Sequence, residues 1–198
     1  MGKPARPGDY DAVADPYCYP DTTVLKNIPD LRGHTALAEF EAVSTAQRAD
    51  EPLPDGRLSL HHYRAIHHHL FQDVYPWAGR FRTVRLNKDG SAFCYPENIA
   101  REMQRLFADL KRQRYLKGLS PDAFAASAAH FLATLNAIHP FREGNGRTQT
   151  SFLTLLADQA AYPLKLDRLV PERFLNAMIE SFYGDERSIA AEIRRLIG

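Results

Sequence analysis

The chain has 198 residues, 44% hydrophobic, 25% charged and 11% aromatic, an ordinary globular composition and a length that suits one domain with a full core. Its 25 Lys and Arg offset 24 Asp and Glu, which removes any global electrostatic case for direct nucleic-acid or anionic-membrane binding, so an anion site has to be local. Cys18 and Cys94 stand far apart and outside any CxxC or Cys/His metal spacing, which reads as two free thiols in a reducing cytosol.

The N-terminus, MGKPARPGDYDAVADPY, has no apolar core of signal-peptide length, and no later run approaches the ~18 apolar residues of a membrane span. A soluble cytoplasmic protein is expected. Residues 1–30 carry Pro4, Pro7, Pro16, Pro20 and Pro29 with little periodicity and read as an extended arm, its second half docked through Tyr10, Tyr17 and Tyr19. Residues 31–198 then form the helical core. HTALAEFEAVSTAQRA has helix spacing at Leu37, Phe40, Glu41 and Ser44, and EPLPDGR ends it. Ser59 suits an N-cap for LHHYRAIHHHLFQDVY, whose apolar face is Tyr63, Ile66, Leu70 and Val74. In residues 81–95, Phe81, Thr83 and Arg85 alternate with Arg82, Val84 and Leu86. KDG follows as a turn and SAFCY as a second extended piece, which predicts a β-hairpin closed by Pro96. NIAREMQRLFADLKRQ returns to helix. SPDAFAASAAHFLATLNAIH, capped by Ser120 with Pro121 at the first helical position, is small and apolar all round, as a central buried helix should be. Three more helical patterns follow, in RTQTSFLTLLADQAA, VPERFLNAMIESF and ERSIAAEIRRLI.

Between the central helix and the next lies HPFREGNGRTQT, His139 to Thr150. A helix beginning near Asn145 offers unpaired first-turn N–H groups and a positive dipole end, and glycines let a phosphate approach the backbone. Arg147 in that first turn opposes the dipole unless an anion compensates. Glu143 is a hard oxygen ligand that could hold Mg²⁺ against phosphate oxygens, and His139 is the nearby group able to take a proton near neutral pH. A base, a metal ligand and a cradle of amides with a cation are the parts of a phosphoryl- or nucleotidyl-transfer site. The bland alternative is a Pro/Gly turn with a solvated Arg and Glu.

HPFREGNGR resembles the signature of Fic-domain proteins, HPFx[D/E]GNGRxxR, whose usual reaction moves AMP from ATP to a protein hydroxyl. DPYCYPDTTVLKN, IHHHLFQDVYPWAGRFRTV and KDGSAFCYPENI extend the likeness to bacterial Fic toxins over most of residues 15–185. The resemblance implies a mainly α bundle with a β-hairpin flap. It implies His139 as the base for the target hydroxyl, Phe141 as loop anchor and Glu143 as Mg²⁺ ligand. Gly144, Asn145 and Gly146 would be the anion hole, and Arg147 the β-phosphate cation. Lys88, Asp89, Gly90 and Phe93 would belong to a flap that pins the target by strand pairing, with Lys88 and Asp89 beside the nucleotide. Asn176 and Tyr183 lie on a late helix that in the family passes near the nucleobase; core packing explains Phe174, Met178 and Phe182 equally well. The resemblance further implies a toxin acting on a Tyr, Ser or Thr hydroxyl of a protein such as DNA gyrase or topoisomerase IV.

The family's last arginine is Thr150 here. Three residues after Arg147, it falls on the same helix side, where the family's arginine contacts the γ-phosphate, and one lost charge-assisted hydrogen bond costs roughly 1.5–3 kcal/mol. Arg142 and Arg82 are candidate substitutes. The readings are AMP transfer with weaker γ-phosphate alignment, which is favoured, a different nucleotide or diphosphate donor, or a silent nucleotide-binding module. An inhibitory helix of the form [S/T]xxxE[G/N] is absent: Ser188 to Glu192 is followed by Ile193, which reads as a structural helix and resembles the class whose inhibitory helix sits on a separate small antitoxin. HHYRAIHHH lacks the i, i+4 ligand pairing with a completing Cys or carboxylate that a zinc site needs, so its histidines are expected to be packed or exposed. Trp77 reads as core packing.

Overall fold

The computed structural model describes residues 15–88 and 91–198. Tyr10, Asp89 and Gly90 lie outside the described residues, and of Lys88 only the backbone is described. The helices are α1 His34–Asp50, α2 Leu60–Phe71, α3 Pro96–Arg112, α4 Pro121–Ile138, α5 Asn145–Gln159, α6 Pro171–Phe182 and α7 Arg187–Ile197. A two-stranded antiparallel ribbon, β1 Asn87–Lys88 and β2 Ser91–Ala92, stands between α2 and α3.

The helix starts follow from side-chain chemistry. Ser59 Oγ accepts the His62 N–H at 3.2 Å, and Ser120 Oγ accepts the Ala123 N–H at 3.4 Å with Pro121 at the first helical position, so each cap satisfies a donor that the helix itself cannot. Pro96 also starts a helix, α3, rather than merely ending the hairpin. α4 is the central helix the composition predicts: Phe124, Ala128, Leu132 and Leu135 are fully buried, and it packs against α3, α5, α6 and α7. Each fully buried Leu or Phe contributes about 1.5–3 kcal/mol, while the alanines let neighbouring backbones approach. No helix is long and apolar enough to cross a membrane among the described residues.

The described part of the arm is docked. Cys18 and Leu25 form an isolated antiparallel bridge, Tyr19, Val24 and Leu25 are buried, and Tyr17 meets the Trp77 ring edge-on at 5.5 Å. Trp77 in turn stacks on Tyr75 at 4.4 Å. The histidine-rich stretch resolves into backbone anchors: His62 Nε2–H donates to Pro54 O at 2.7 Å and His69 Nε2–H to Arg48 O at 2.8 Å. Among the described residues no three His, Cys, Asp or Glu gather as a metal-binding group. Glu192 of α7 is buried between Arg173 at 2.5 Å and Arg195 at 2.6 Å, a tie from α7 to α6 in keeping with a structural helix.

The hairpin is shorter than the alternation over 81–86 predicts. Among the described residues, only Asn87 with Ala92 and Lys88 with Ser91 pair, with one further rung from Phe93 N–H to Leu86 O at 3.1 Å. Upstream of that rung, the backbone serves the loop after α4 instead of a strand partner: Arg82 N–H donates to Pro140 O at 2.9 Å.

Candidate active site

The stretch between α4 and α5 is held from four directions. His139 is the C-cap of α4 with left-handed backbone, φ 49 and ψ 64, a conformation usually given to glycine and costly for other residues. Arg82 explains how it is tolerated. Its Nε–H donates to His139 O at 2.7 Å, and its Nη2–H to Ile138 O at 3.2 Å and Cys94 O at 2.6 Å. A buried guanidinium thus satisfies the last carbonyls of α4 and complements the helix's negative end. Phe93 stacks on the His139 imidazole at 4.0 Å and meets Phe182 edge-on at 5.3 Å. The phenylalanine expected on the docking flap is therefore packed against the His139 ring and orients it.

Inside the loop, Phe141 is fully buried and lies 5.5 Å from the Tyr63 ring and 3.7 Å from that of His67, which makes it the anchor its position suggests. His67 has a defined tautomer: Gly79 N–H donates to Nδ1 at 2.8 Å, so Nε2 carries the proton and donates to Glu143 O at 2.9 Å. Burial pushes its pKa down to about 3, which keeps the ring neutral. The Asn145 side chain accepts from Phe141 N–H at 3.0 Å and donates to Phe141 O at 2.9 Å. It staples the loop closed, which leaves any anion contact to its backbone amide. Gly144 has φ 80, and a Cβ there would lie 2.2 Å from Phe71 Cζ. Backbone conformation and packing, rather than phosphate approach, require that glycine. Gly146 is exposed with open space where a Cβ would stand, so it is the glycine that leaves room for a ligand.

Around the first turn of α5, two carboxylates flank one guanidinium. Arg147 donates from Nη2 to Glu41 Oε1 and from Nη1 to Thr45 Oγ1 at 3.1 Å. Its Nη2 is 3.8 Å from Glu143 Oε1, and its Cζ sits 4.6 Å from the Phe71 ring centre. The anion that offsets Arg147 against the helix dipole is thus built in, from α1. Glu143 Oε1 accepts the Gly144 N–H at 2.8 Å; burial first, and then the Glu41 charge, raise its pKa. Thr150 follows one turn later, its hydroxyl donating back to Gly146 O at 3.1 Å.

Neither proposed substitute for the missing arginine stands ready for a phosphate. Arg82 is buried among four carbonyls, the fourth being Val84 O at 2.6 Å from Nη1. Arg142 is buried in an ion pair with Asp15 of the arm, 2.7 Å from Nε to Oδ2 with both side chains 5% exposed. Asn176 and Tyr183 are exposed, on α6 and just after it. The end of that helix reaches the site through Phe182 on Phe93. Sequence reasoning missed Glu41, Thr45, Tyr75, His67 and Asp15 as parts of the site. Asp15, His67 and Tyr75 lie in stretches that carry the family likeness, but nothing in those stretches ties them to the loop, and each of the five comes to it through the fold.

The Fic/DOC family model matches residues 57–157. The chain is 54% identical over 189 residues to a probable protein adenylyltransferase, y4lH, of Sinorhizobium fredii, covering 95% of this chain and 98% of that one. It is 36% identical to the protein adenylyltransferase VbhT of Bartonella schoenbuchensis, over 94% of this chain but 40% of the relative. Its fold matches the crystal structure of BepC from Bartonella tribocorum with bound AMPPNP at a TM-score of 0.80 and 26% identity, covering 91% of this chain and 95% of that one. A loop anchored by Phe141, stapled by Asn145 and opening onto the first turn of α5 thus accompanies a sequence match across the whole of that unit, and the chain belongs to the Fic/DOC family.

Proposed function

We propose that the chain is a protein adenylyltransferase that transfers AMP from ATP to a Tyr, Ser or Thr hydroxyl of a target protein. The observation that carries this is the arrangement of His139, Glu143 and Arg147 about the open first turn of α5. Protein adenylyltransferase relatives and an AMPPNP-bound fold neighbour support it. His139, oriented by Phe93 and by the Arg82 clamp on its carbonyl, takes the proton from the target hydroxyl as the new O–P bond forms at the α-phosphorus. The bond from that phosphorus to the β-bridging oxygen breaks, and pyrophosphate leaves. First-turn amides of α5 and the Arg147 guanidinium receive the phosphate charge in a site organised before the donor arrives.

Glu143 would hold Mg²⁺. Its carboxylate is partly buried and crowded by Glu41, and both raise its pKa, an environment that a divalent cation relieves, and a single carboxylate with substrate phosphates is ordinary Mg²⁺ coordination. When bound, the ion supplies charge neutralisation to the phosphates. A second reading has one observation in its favour. With Thr150 bonded back to its own helix and Arg82 and Arg142 committed elsewhere, a donor that makes no γ-phosphate contact would also fit. A target among bacterial topoisomerases and a partner antitoxin carrying [S/T]xxxE[G/N] belong to the same reading through the family likeness. The test is labelled ATP with Mg²⁺ and bacterial lysate, comparing wild type, His139→Ala and Thr150→Arg. Mass spectrometry after incubation with mixed nucleotides reads the adduct. A His139-dependent AMP adduct is expected; another adduct selects the second reading, and none under any donor sinks both.

A further inference from the structure

We propose that Glu41, on α1, is a positioning residue for Arg147: with Thr45 it holds one part of the guanidinium and leaves the remaining N–H donors for the nucleotide's phosphates. The proposal rests on the reading of Arg147 as a phosphate-binding cation. Helix α1 lies outside the 57–157 span that matches the family model, and Glu41 belongs to no motif in the chain.

The geometry is that of an ordered support rather than a surface ion pair. The Glu41 side chain is only 14% exposed and is itself held, because Tyr75 Oη–H donates to its Oε2, and Tyr75 is buried against Trp77 at 4.4 Å. Thr45 lies one turn further along α1 on the same face, and its hydroxyl donates to Glu41 O at 2.7 Å. That orients an oxygen lone pair toward Arg147 Nη1. Phe71 provides a third wall at 4.6 Å.

A guanidinium has five N–H donors in a rigid fork. The contacts to Glu41 and Thr45 use two, so three remain, enough for bidentate phosphate recognition. Without Glu41, a flexible arginine would face the positive end of α5 unsupported, and its ordering would fall on the binding step. A carboxylate beside a phosphate-binding cation could equally act as a latch that competes with the ligand, and the two roles differ in sign. Removing a support weakens ATP binding, whereas removing a latch strengthens it.

The test is a double-mutant cycle over Glu41→Ala and Arg147→Ala, with Glu41→Gln as the isosteric variant should truncation impair folding. Calorimetric titration with ATP and Mg²⁺ gives affinity, and autolabelling at saturating ATP gives the maximal rate. We expect Glu41→Ala to weaken ATP binding about tenfold with a smaller change in saturated rate, Glu41→Gln to fall between, and the double variant to bind no worse than Arg147→Ala alone. Unchanged or tighter ATP binding in both Glu41 variants overturns the proposal. So does a loss that adds in full to that of Arg147→Ala, since Glu41 would then act elsewhere. Should Arg147→Ala itself leave ATP affinity unchanged, the phosphate-binding reading of Arg147 fails first and the proposal falls with it, a result separate from the other two.

Discussion

His67 links the stability of the active-site loop to pH, and the size of the effect follows from its surroundings. Both ring nitrogens are engaged, Nδ1 by Gly79 N–H and Nε2–H by Glu143 O, and burial pushes the pKa down to about 3. In the unfolded chain the same imidazole titrates near 6.5. A lowered histidine pKa means that the unfolded state binds the proton first, so the contribution is fully present above about pH 6.5. It is lost as pH falls toward the folded value. Protonation of the unfolded ring alone is worth RT ln(1 + 10^(6.5 − pH)), about 0.8 kcal/mol at pH 6 and about 2 kcal/mol at pH 5. The perturbation is His67→Gln, which keeps an acceptor and a donor on the side chain without titrating. Urea unfolding of wild type and variant at pH 7.5, 6 and 5 cancels every other ionisable group in the difference. Wild type should lose about 2 kcal/mol relative to the variant between pH 7.5 and 5. A difference that stays constant with pH would show that His67 titrates alike in the folded and unfolded chains, and the tautomer argument for Glu143's carbonyl would go with it.

The two glycines of the loop should behave oppositely. Gly144→Ala meets both positive φ and the Phe71 ring and should lower stability by about 2–4 kcal/mol in thermal or urea unfolding. Gly146→Ala, with open space and helical neighbours, should be neutral or gain up to about 1 kcal/mol. It should nevertheless weaken ATP binding in calorimetry if a phosphate uses that space. Asp15→Ala leaves the Arg142 guanidinium buried without its carboxylate and should cost about 3–5 kcal/mol in urea unfolding, a large loss for a single carboxylate on the N-terminal arm. Thr150→Arg restores a cation one turn beyond Arg147 and should tighten ATP binding by about ten- to a hundredfold in titration calorimetry. No gain would show that the donor phosphates do not reach that turn.

Helix positions were legible in the sequence because their causes are local: Ser59 and Ser120 as caps, Pro121 at a first helical position, and apolar spacing in α2 and α3, although Pro96 was read as the end of the hairpin and not as the start of α3. The loop between α4 and α5 was legible for the same reason, since glycines and a proline between two apolar helical patterns mark a break and a new helix N-terminus. The extent of the hairpin was not, because alternation over 81–86 specifies extended backbone but does not name its partner. That partner is the carbonyl of Pro140, more than fifty residues on.

The sequence alone determined a mainly helical chain with one hairpin and placed a histidine, a carboxylate and an arginine in a single nine-residue frame. Only the tertiary structure decided which of the nearby charges are engaged elsewhere. Arg82 closes α4, Arg142 answers Asp15, Asn145 staples its own loop, and Arg147 is held by Glu41 from a helix about a hundred residues earlier. Capping and periodicity are short-range effects that a window of residues can carry. The partner of a buried charge is set by packing, because desolvation forces each guanidinium to find whichever carboxylate or carbonyl the fold brings within about 3 Å.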